Sequence, residues 1–399
     1  MKSRALNRIR LFLLLVFATA NCGEPGGPKP HEPGRPTVTP NGNSTVLTGE
    51  PYQLSVTFSD TTANGSPWTY SINWGDGATS NGTKTSLTPI AESHTYAAEG
   101  SYEAQITVTN SAGKSGDASL TITVAPPVIL AAGDIADCTR PGDDSTAMLL
   151  DTLEGVVVAL GDNAYLNGTL DDYNNCYAPT WGRHKARTRP VPGNHDYNTP
   201  DATGYYGYFG AAAGDPAKGY YNFTLGSWLV IVINTGTDVP SNYEAGSPQE
   251  QWLRGVLAAS SQQCVLAMMH HPRFSTVKDR SPITYYTEAI WNALYEYGAD
   301  LVLTGHDHTY QRYAPQKPDG TRDDAFGIRQ ITNGAGGGET LYSWADPVPT
   351  GSNIEVRNNT THGVLKVTLR SGGYDWKFVP SSGASFTDAG SGNCHGRPS

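Results

Sequence analysis

From residue 128 onward the chain repeatedly runs apolar for four to seven residues and then turns abruptly polar. The runs are residues 128–132 (VILAA), 156–160 (VVVAL), 228–234 (WLVIVIN), 264–268 (CVLAM) and 301–304 (LVLT). Each is too short for a core helix and too continuously apolar for a strand with one wet face, so they predict strands buried on both sides. Helical patterns lie between several of them. Ser247-Pro248-Gln249-Glu250 reads as a capping box with Pro at the first helical position, ahead of residues 252–259. Residues 287–297 read as another helix, closed by Gly298. Two later strands, 364–369 and 374–379, join at Gly372-Gly373. The pattern predicts an α/β layered domain over residues 126–399.

The preceding stretch follows a different rule. Residues 52–58 (YQLSVTF), 71–74, 102–108 (YEAQITV) and 120–124 are short, alternating and rich in β-branched or aromatic side chains. Gly75-Asp76-Gly77 and Gly113-Lys114-Ser115-Gly116 punctuate them as turns, and no helical period intervenes. Residues 37–125 are therefore an all-β sandwich, ended by Ala125-Pro126-Pro127. Trp74-Gly75-Asp76-Gly77, His94-Thr95-Tyr96, Gly100-Ser101-Tyr102 and Thr107-Val108-Thr109-Asn110 closely resemble the PKD domain, an immunoglobulin-like module of exported bacterial proteins. Such modules serve as spacers or adhesive units, which leaves contact with surface polymers or other proteins open. Asp76 and His94 read as structural residues.

The N-terminus reads as an address. Lys2, Arg4, Arg8 and Arg10 precede a ten-residue apolar stretch at 11–20 (LFLLLVFATA), too short to span a bilayer, so residues 1–21 are a secretion signal. Cys22 follows at once, then a Gly/Pro-rich tether over residues 22–36. This resembles a bacterial lipoprotein signal, with lipidation at Cys22 and membrane anchoring as its consequence, although Asn21 departs from the small residue usual before that Cys. Ordinary cleavage and secretion is the alternative. The chain has 5 Cys; with Cys22 acylated, Cys138, Cys176, Cys264 and Cys394 remain for two disulfides in an oxidising compartment. Four cysteines allow three connectivities, of which Cys138–Cys176 and Cys264–Cys394 is the favoured one. A charged content of 16% and a formal net charge of −10 suit an exported chain and argue against a nucleic-acid partner.

Chemistry concentrates in five polar clusters that follow the apolar runs or sit beside them. In order they are Gly133-Asp134, Gly161-Asp162-Asn163-Ala164-Tyr165, Gly193-Asn194-His195-Asp196, His270-His271-Pro272 and Gly305-His306-Asp307-His308. Strand C-terminal ends are where α/β folds place ligands. The clusters supply carboxylate, phenol, amide and imidazole but no thiolate, a set suited to Fe, Zn or Mn. Their order resembles the calcineurin-like metallophosphoesterases and, within them, the purple acid phosphatases. The generic pattern carries His two residues after the first Asp, where this chain has Ala136; the purple acid phosphatase pattern carries Tyr three residues after the second Asp, and Tyr165 stands there. The run from Gly305 to Arg312 is similar to that family's Gly-His-x-His-x-Tyr-Glu-Arg segment, with Gln311 as a departure.

The resemblance implies a β-sandwich flanked by helices and a two-metal site. Asp134, Tyr165 and His308 would hold one metal, Asn194, His270 and His306 the other, and Asp162 would bridge them. A phenolate ligand favours Fe(III) at the Tyr165 position; Zn, Mn or Fe(II) is left open at the second. The implied substrate is a phosphate ester attacked in line by an activated water, with no phosphoenzyme. His195 would stabilise phosphoryl oxygens or protonate the leaving oxygen, Asp196 would orient its ring, and His271 would support the site or contact substrate. The expected activity is that of an exported phosphomonoesterase of the acid phosphatase type. A phosphodiesterase or nucleotidase with the same metals, and an inactive surface-binding protein, are the rivals. Arg183, Lys185, Arg187 and Arg189 form a basic run ahead of Gly193 that reads as a solvated face rather than a phosphate funnel.

Overall fold

The computed structural model describes residues 34–236 and 243–398. The expected signal segment, Cys22 and the tether up to residue 33 lie outside the described residues. Among the described residues no helix is long and apolar enough to cross a membrane.

Eight strands build the first unit: β1 (Thr37–Asn41), β2 (Thr45–Leu47), β3 (Pro51–Ser59), β4 (Trp68–Asn73), β5 (Thr79–Lys84), β6 (Ile90–Thr95), β7 (Gly100–Thr109) and β8 (Ser115–Ala125). They form a three-stranded sheet, β1-β3-β6, and a five-stranded sheet, β2-β8-β7-β4-β5. Period-two alternation dictates the packing: Tyr52, Leu54, Val56 and Phe58 of β3 point inward against Ala104, Ile106 and Val108 of β7. Trp74 is buried at the centre and stacks on His94, whose Nε2 lies 2.7 Å from Asp76. Both polar residues thus serve the sandwich itself.

The second unit contains β9 (Val128–Ala132), β10 (Val156–Leu160), β11 (Thr188–Val191), β12 (Tyr221–Leu225), β13 (Trp228–Val232), β14 (Cys264–Met268), β15 (Leu301–Thr304), β16 (Tyr310–Tyr313), β17 (Arg329–Asn333), β18 (Ile354–Asn358), β19 (Gly363–Arg370), β20 (Gly373–Pro380) and β21 (Ala389–Asn393). One sheet runs β11-β10-β9-β19-β20-β21, the other β12-β13-β14-β15-β17-β16-β18. Both are mixed: β11, β10 and β9 are parallel, as are β13, β14, β15 and β17, with antiparallel strands outside.

The continuous apolar runs follow from this layering. Val158 and Leu160 of β10 face the inter-sheet core with Val230, Leu266 and Leu303. Their neighbours Val157 and Ala159 face helices α1 (Gly142–Thr152) and α3 (Thr203–Phe209), together with Tyr173 and Tyr177, which follow α2 (Leu170–Asp172). On the other flank, Leu253 and Leu257 of α4 (Pro248–Ala259) and Ile290 and Leu294 of α5 (Glu288–Glu296) cover Leu229, Val265 and Val302. Truncating a side chain such as Leu266 to Ala would cost about 2–5 kcal/mol. Ser247 caps α4 by accepting from the Glu250 backbone N–H, but Glu250 reaches back to the Gly246 N–H rather than to that of Ser247 and also pairs with Arg254. The reciprocal half of the expected capping box is thereby replaced.

Disulfides join Cys138 to Cys176 and Cys264 to Cys394. The first ties the loop after β9 to the segment after α2. The second fastens the start of β14 to the end of β21. Each such link contributes roughly 2–4 kcal/mol.

Candidate metal centre

The parallel strands of both sheets point their C-terminal ends at one edge of the sandwich, and the five polar clusters leave the strands there. Asp134 follows β9, Asp162 and Tyr165 follow β10, and Asn194 follows β11; His270 follows β14, and His306 and His308 follow β15. Asp134, Asp162 and His306 all adopt positive φ, at 60°, 50° and 66°. This is a conformation that non-glycine residues rarely hold unless their surroundings over-determine it. The flanking glycines are required by closeness: a Cβ on Gly193 would lie 2.2 Å from Asp162, and one on Gly161 2.4 Å from His270.

Two clusters of donor atoms result. In the first, Asp134 Oδ1 lies 3.0 Å from Tyr165 Oη and 3.2 Å from His308 Nε2, and Tyr165 Oη lies 3.2 Å from the same nitrogen. In the second, His270 Nε2 lies 3.1 Å from Asp162 Oδ2, 3.2 Å from Asn194 Oδ1 and 3.3 Å from His306 Nδ1. Asp134, Asp162 and His270 offer atoms within 4.8 Å of one another, so the clusters adjoin at Asp162. His271 completes another group with His270 and His306.

This donor chemistry fits metal cations. His270 Nδ1 donates to the Leu160 carbonyl at 2.8 Å, which leaves Nε2 as the nitrogen that faces a carboxylate, an amide oxygen and another imidazole. Acceptors gathered in this way suit a positive charge, either a cation or, without one, a proton on His270 Nε2. The electrostatics agree. Burial pulls the His270 pKa down, but the Asp162 carboxylate outweighs it and lifts the value to about 9. Burial likewise opposes the charge on Asp162, yet His270 and His195 hold its pKa at about 2. Burial, then Asp134 and Asp162, push the Tyr165 phenol well above its ordinary value; only a strongly charged cation would make it a phenolate ligand.

His195 sits at the rim, about a third exposed, with its ring edge-on to Tyr165. Its Nδ1 donates to the Leu166 carbonyl at 2.7 Å, and its Nε2 lies 4.0 Å from Asp162 Oδ2. Asp196 does not orient that ring, and its assignment as a catalytic residue is corrected. Its fully buried carboxylate turns inward, accepting from Tyr173 Oη at 2.6 Å, the Gly193 N–H at 2.8 Å and Asn163 Nδ2 at 3.1 Å. Burial and the neighbouring Asp162 raise its pKa to about 7. It braces the loop that presents Asn194 and His195. His271 is buried beside His306, with 4.0 Å between ring centroids, and Thr235 Oγ1 lies 3.2 Å from its Nδ1. Burial and His270 lower its pKa to about 3, so it stands as a neutral neighbour.

Some of the surroundings carried no sequence signal. Tyr342 stacks on His308 at 4.1 Å. Arg280 contacts His306 Nε2 and lies 3.3 Å from Asp307. Both come from polar loops with no periodicity. The Gln311 departure has a physical reason: its Nε2 donates to Asp307 Oδ2 at 2.9 Å, where Glu would set a second carboxylate against the first. The basic run lies apart. Arg183 pairs with Asp151 at 2.8 Å, and Arg187 caps the carbonyls of Leu150, Leu153 and Gly155.

The family model described as Calcineurin-like phosphoesterase matches residues 94–310, more than half of the sequence. The chain belongs to that family. The PKD domain model matches residues 34–124. Purple acid phosphatase 21 of Arabidopsis thaliana is 27% identical over 223 residues, covering 49% of this chain and 48% of the relative. Purple acid phosphatase 15 of the same plant is 25% identical over 222 residues, covering 47% and 41%. The chain thus spans about half the length of the curated relatives it matches. Among solved structures, the PKD domain of an M14-like peptidase from Thermoplasmatales archaeon SCGC AB-540-F20 is 25% identical, covering 23% of this chain and 96% of that one at a TM-score of 0.21. By the two family models, the phosphoesterase domain carries a PKD domain at its N-terminal side, and its metal-ligand candidates lie where the two sheets meet.

Proposed function

We propose that this protein is an exported, two-metal phosphomonoesterase of the purple acid phosphatase type. The observation that carries the reading is the convergence of Asp134, Tyr165 and His308 beside Asn194, His270 and His306, with Asp162 between them. Asp134, Tyr165 and His308 would hold Fe(III), and Asn194, His270 and His306 would hold Zn, Mn or Fe(II). Held there, the ions would supply Lewis acidity and lower the pKa of a water for in-line attack on phosphorus.

The chain's own residues do the rest. The Leu160 carbonyl fixes the His270 ring so that Nε2 faces the site. The backbone N–H of His195 donates to Asp162 Oδ1 at 2.7 Å and holds that carboxylate in place. With Nδ1 tied to Leu166, His195 has only Nε2 to exchange protons, and as imidazolium it gives its proton to the departing alkoxide oxygen. Export rests on the basic, then apolar N-terminus; lipidation at Cys22 would keep the enzyme at the cell envelope, with the PKD domain as a spacer.

Purified protein should contain two metal ions per chain, absorb visible light through Tyr165 and hydrolyse p-nitrophenyl phosphate faster than its bis-ester. Tyr165→Phe should abolish the colour. Metal-free, inactive protein would refute the reading, and faster turnover of the bis-ester would reassign it to phosphodiesters.

A further inference from the structure

We propose that Arg280 is a further substrate-binding residue of this centre, a guanidinium that grips the phosphoryl oxygens, positioned by Asp307. The inference rests on the two-metal reading above. Arg280 lies on the loop after β14 and reaches the outer edge of His306. Its Nη1 meets His306 Nε2, its Nε is 3.3 Å from Asp307 Oδ1, and its guanidinium lies 5.5 Å from the Tyr342 ring centroid. Asp307 is fully buried, and Ser275 Oγ at 2.5 Å and Gln311 Nε2 at 2.9 Å fix its other oxygen. With one oxygen so fixed, the other accepts no hydrogen bond and meets Arg280 as an ion pair, a charge contact that holds the guanidinium near this edge.

The guanidinium borders an open groove of about 420 Å³, which Val277, Lys278, Asp279, Tyr342 and Ser343 also line. Lys278 adds a second cation there, and Asp279 opposes it. His306 decides how Arg280 is used. His306 Nδ1 faces the ligand cluster, 3.3 Å from His270 Nε2. If that nitrogen held a cation, Nε2 would carry the ring's N–H and could no longer accept from Arg280. The Arg280 N–H donors are then available to an anion at the same edge, and Asp307 keeps them from leaving it. Planar, bidentate donation to phosphate is what guanidinium does better than ammonium.

The test is inorganic phosphate binding to the metal-loaded protein by calorimetry, with metal content measured on every variant. Arg280→Gln should keep both metals and bind phosphate about 10- to 100-fold more weakly, the range for a lost charge-assisted hydrogen bond. Arg280→Lys should fall between the two. Asp307→Asn should weaken binding less, and should add nothing in the Arg280→Gln background, because it acts through that side chain. Unchanged phosphate affinity in Arg280→Gln, or loss of metal from it, would overturn the assignment. Hydrolysis of p-nitrophenyl phosphate by the wild type separates the outcomes. If it persists while Arg280→Gln binds phosphate normally, only Arg280 is misassigned; if it is absent, the two-metal reading and this one fall together.

Discussion

The two units of this chain spend their interiors differently. Between residues 34 and 125 the described core is almost wholly apolar; Thr48 and Asn110 are its buried polar residues. Asn110 is locally satisfied, bonding the Gly34 carbonyl and Asp60 and anchoring its own turn. The phosphoesterase domain buries Asp134, Asp162, Asp196, His270, Asp307 and His308 within one region. Burying ionisable groups is costly without partners, so concentrating them at one edge marks a place where the fold gives up stability for chemistry. The PKD domain carries no such region.

The largest expected effect follows directly. Asp162→Ala should remove both metals and reduce turnover to background, read by elemental analysis and p-nitrophenyl phosphate assay, while the PKD domain keeps its β-sheet circular dichroism. His195→Ala should retain the metals and lose about 10²–10⁴-fold in rate on alkyl phosphates, less on p-nitrophenyl phosphate, whose leaving group needs little protonation. Loss of metal in that variant would make His195 a ligand instead.

The opposite manipulation tests the other half of the contrast. Trp74→Ala should destabilise the PKD domain by about 3–5 kcal/mol, measured by denaturant titration, with kcat/KM unchanged. A large fall in turnover would show that the sandwich supports catalysis. The smallest effect concerns acid stability within the phosphoesterase domain. Burial opposes ionisation of Asp388, but hydrogen bonds from Arg312, Tyr310 and Trp376 prevail and lower its pKa. A carboxylate with a lowered folded pKa contributes stability above its unfolded value, about 3.9, and loses it as pH falls through the folded one. Asp388→Asn should therefore flatten the acid side of the melting-temperature profile, and an unchanged profile would remove Asp388 from the acid response.

What was legible in the sequence was periodic or typed. Alternation exposed β3 and β7, since a strand with one wet face must alternate. Continuous apolar runs exposed β9, β10, β13, β14 and β15, since both of their faces are covered. The Gly-led polar clusters were visible because they interrupt those runs. Strand β11 was hidden because it starts at the end of the Arg183–Arg189 run, and β16, β17 and β18 were hidden by polar side chains whose partners are distant in the chain. The same distance explains the misreading of Asp196. Adjacency to His195 suggested a pair, but Asp196 is fully buried while His195 lies at the rim, and Tyr173 and Asn163 claim the carboxylate. The sequence by itself determined the two kinds of strand and the residue types able to hold metal, because these depend on local pattern and donor chemistry. Only the tertiary structure decided which donors share a cluster, that Arg280 and Tyr342 border it and that the Gln311 amide meets Asp307, because these depend on bringing strand ends of two sheets to one edge.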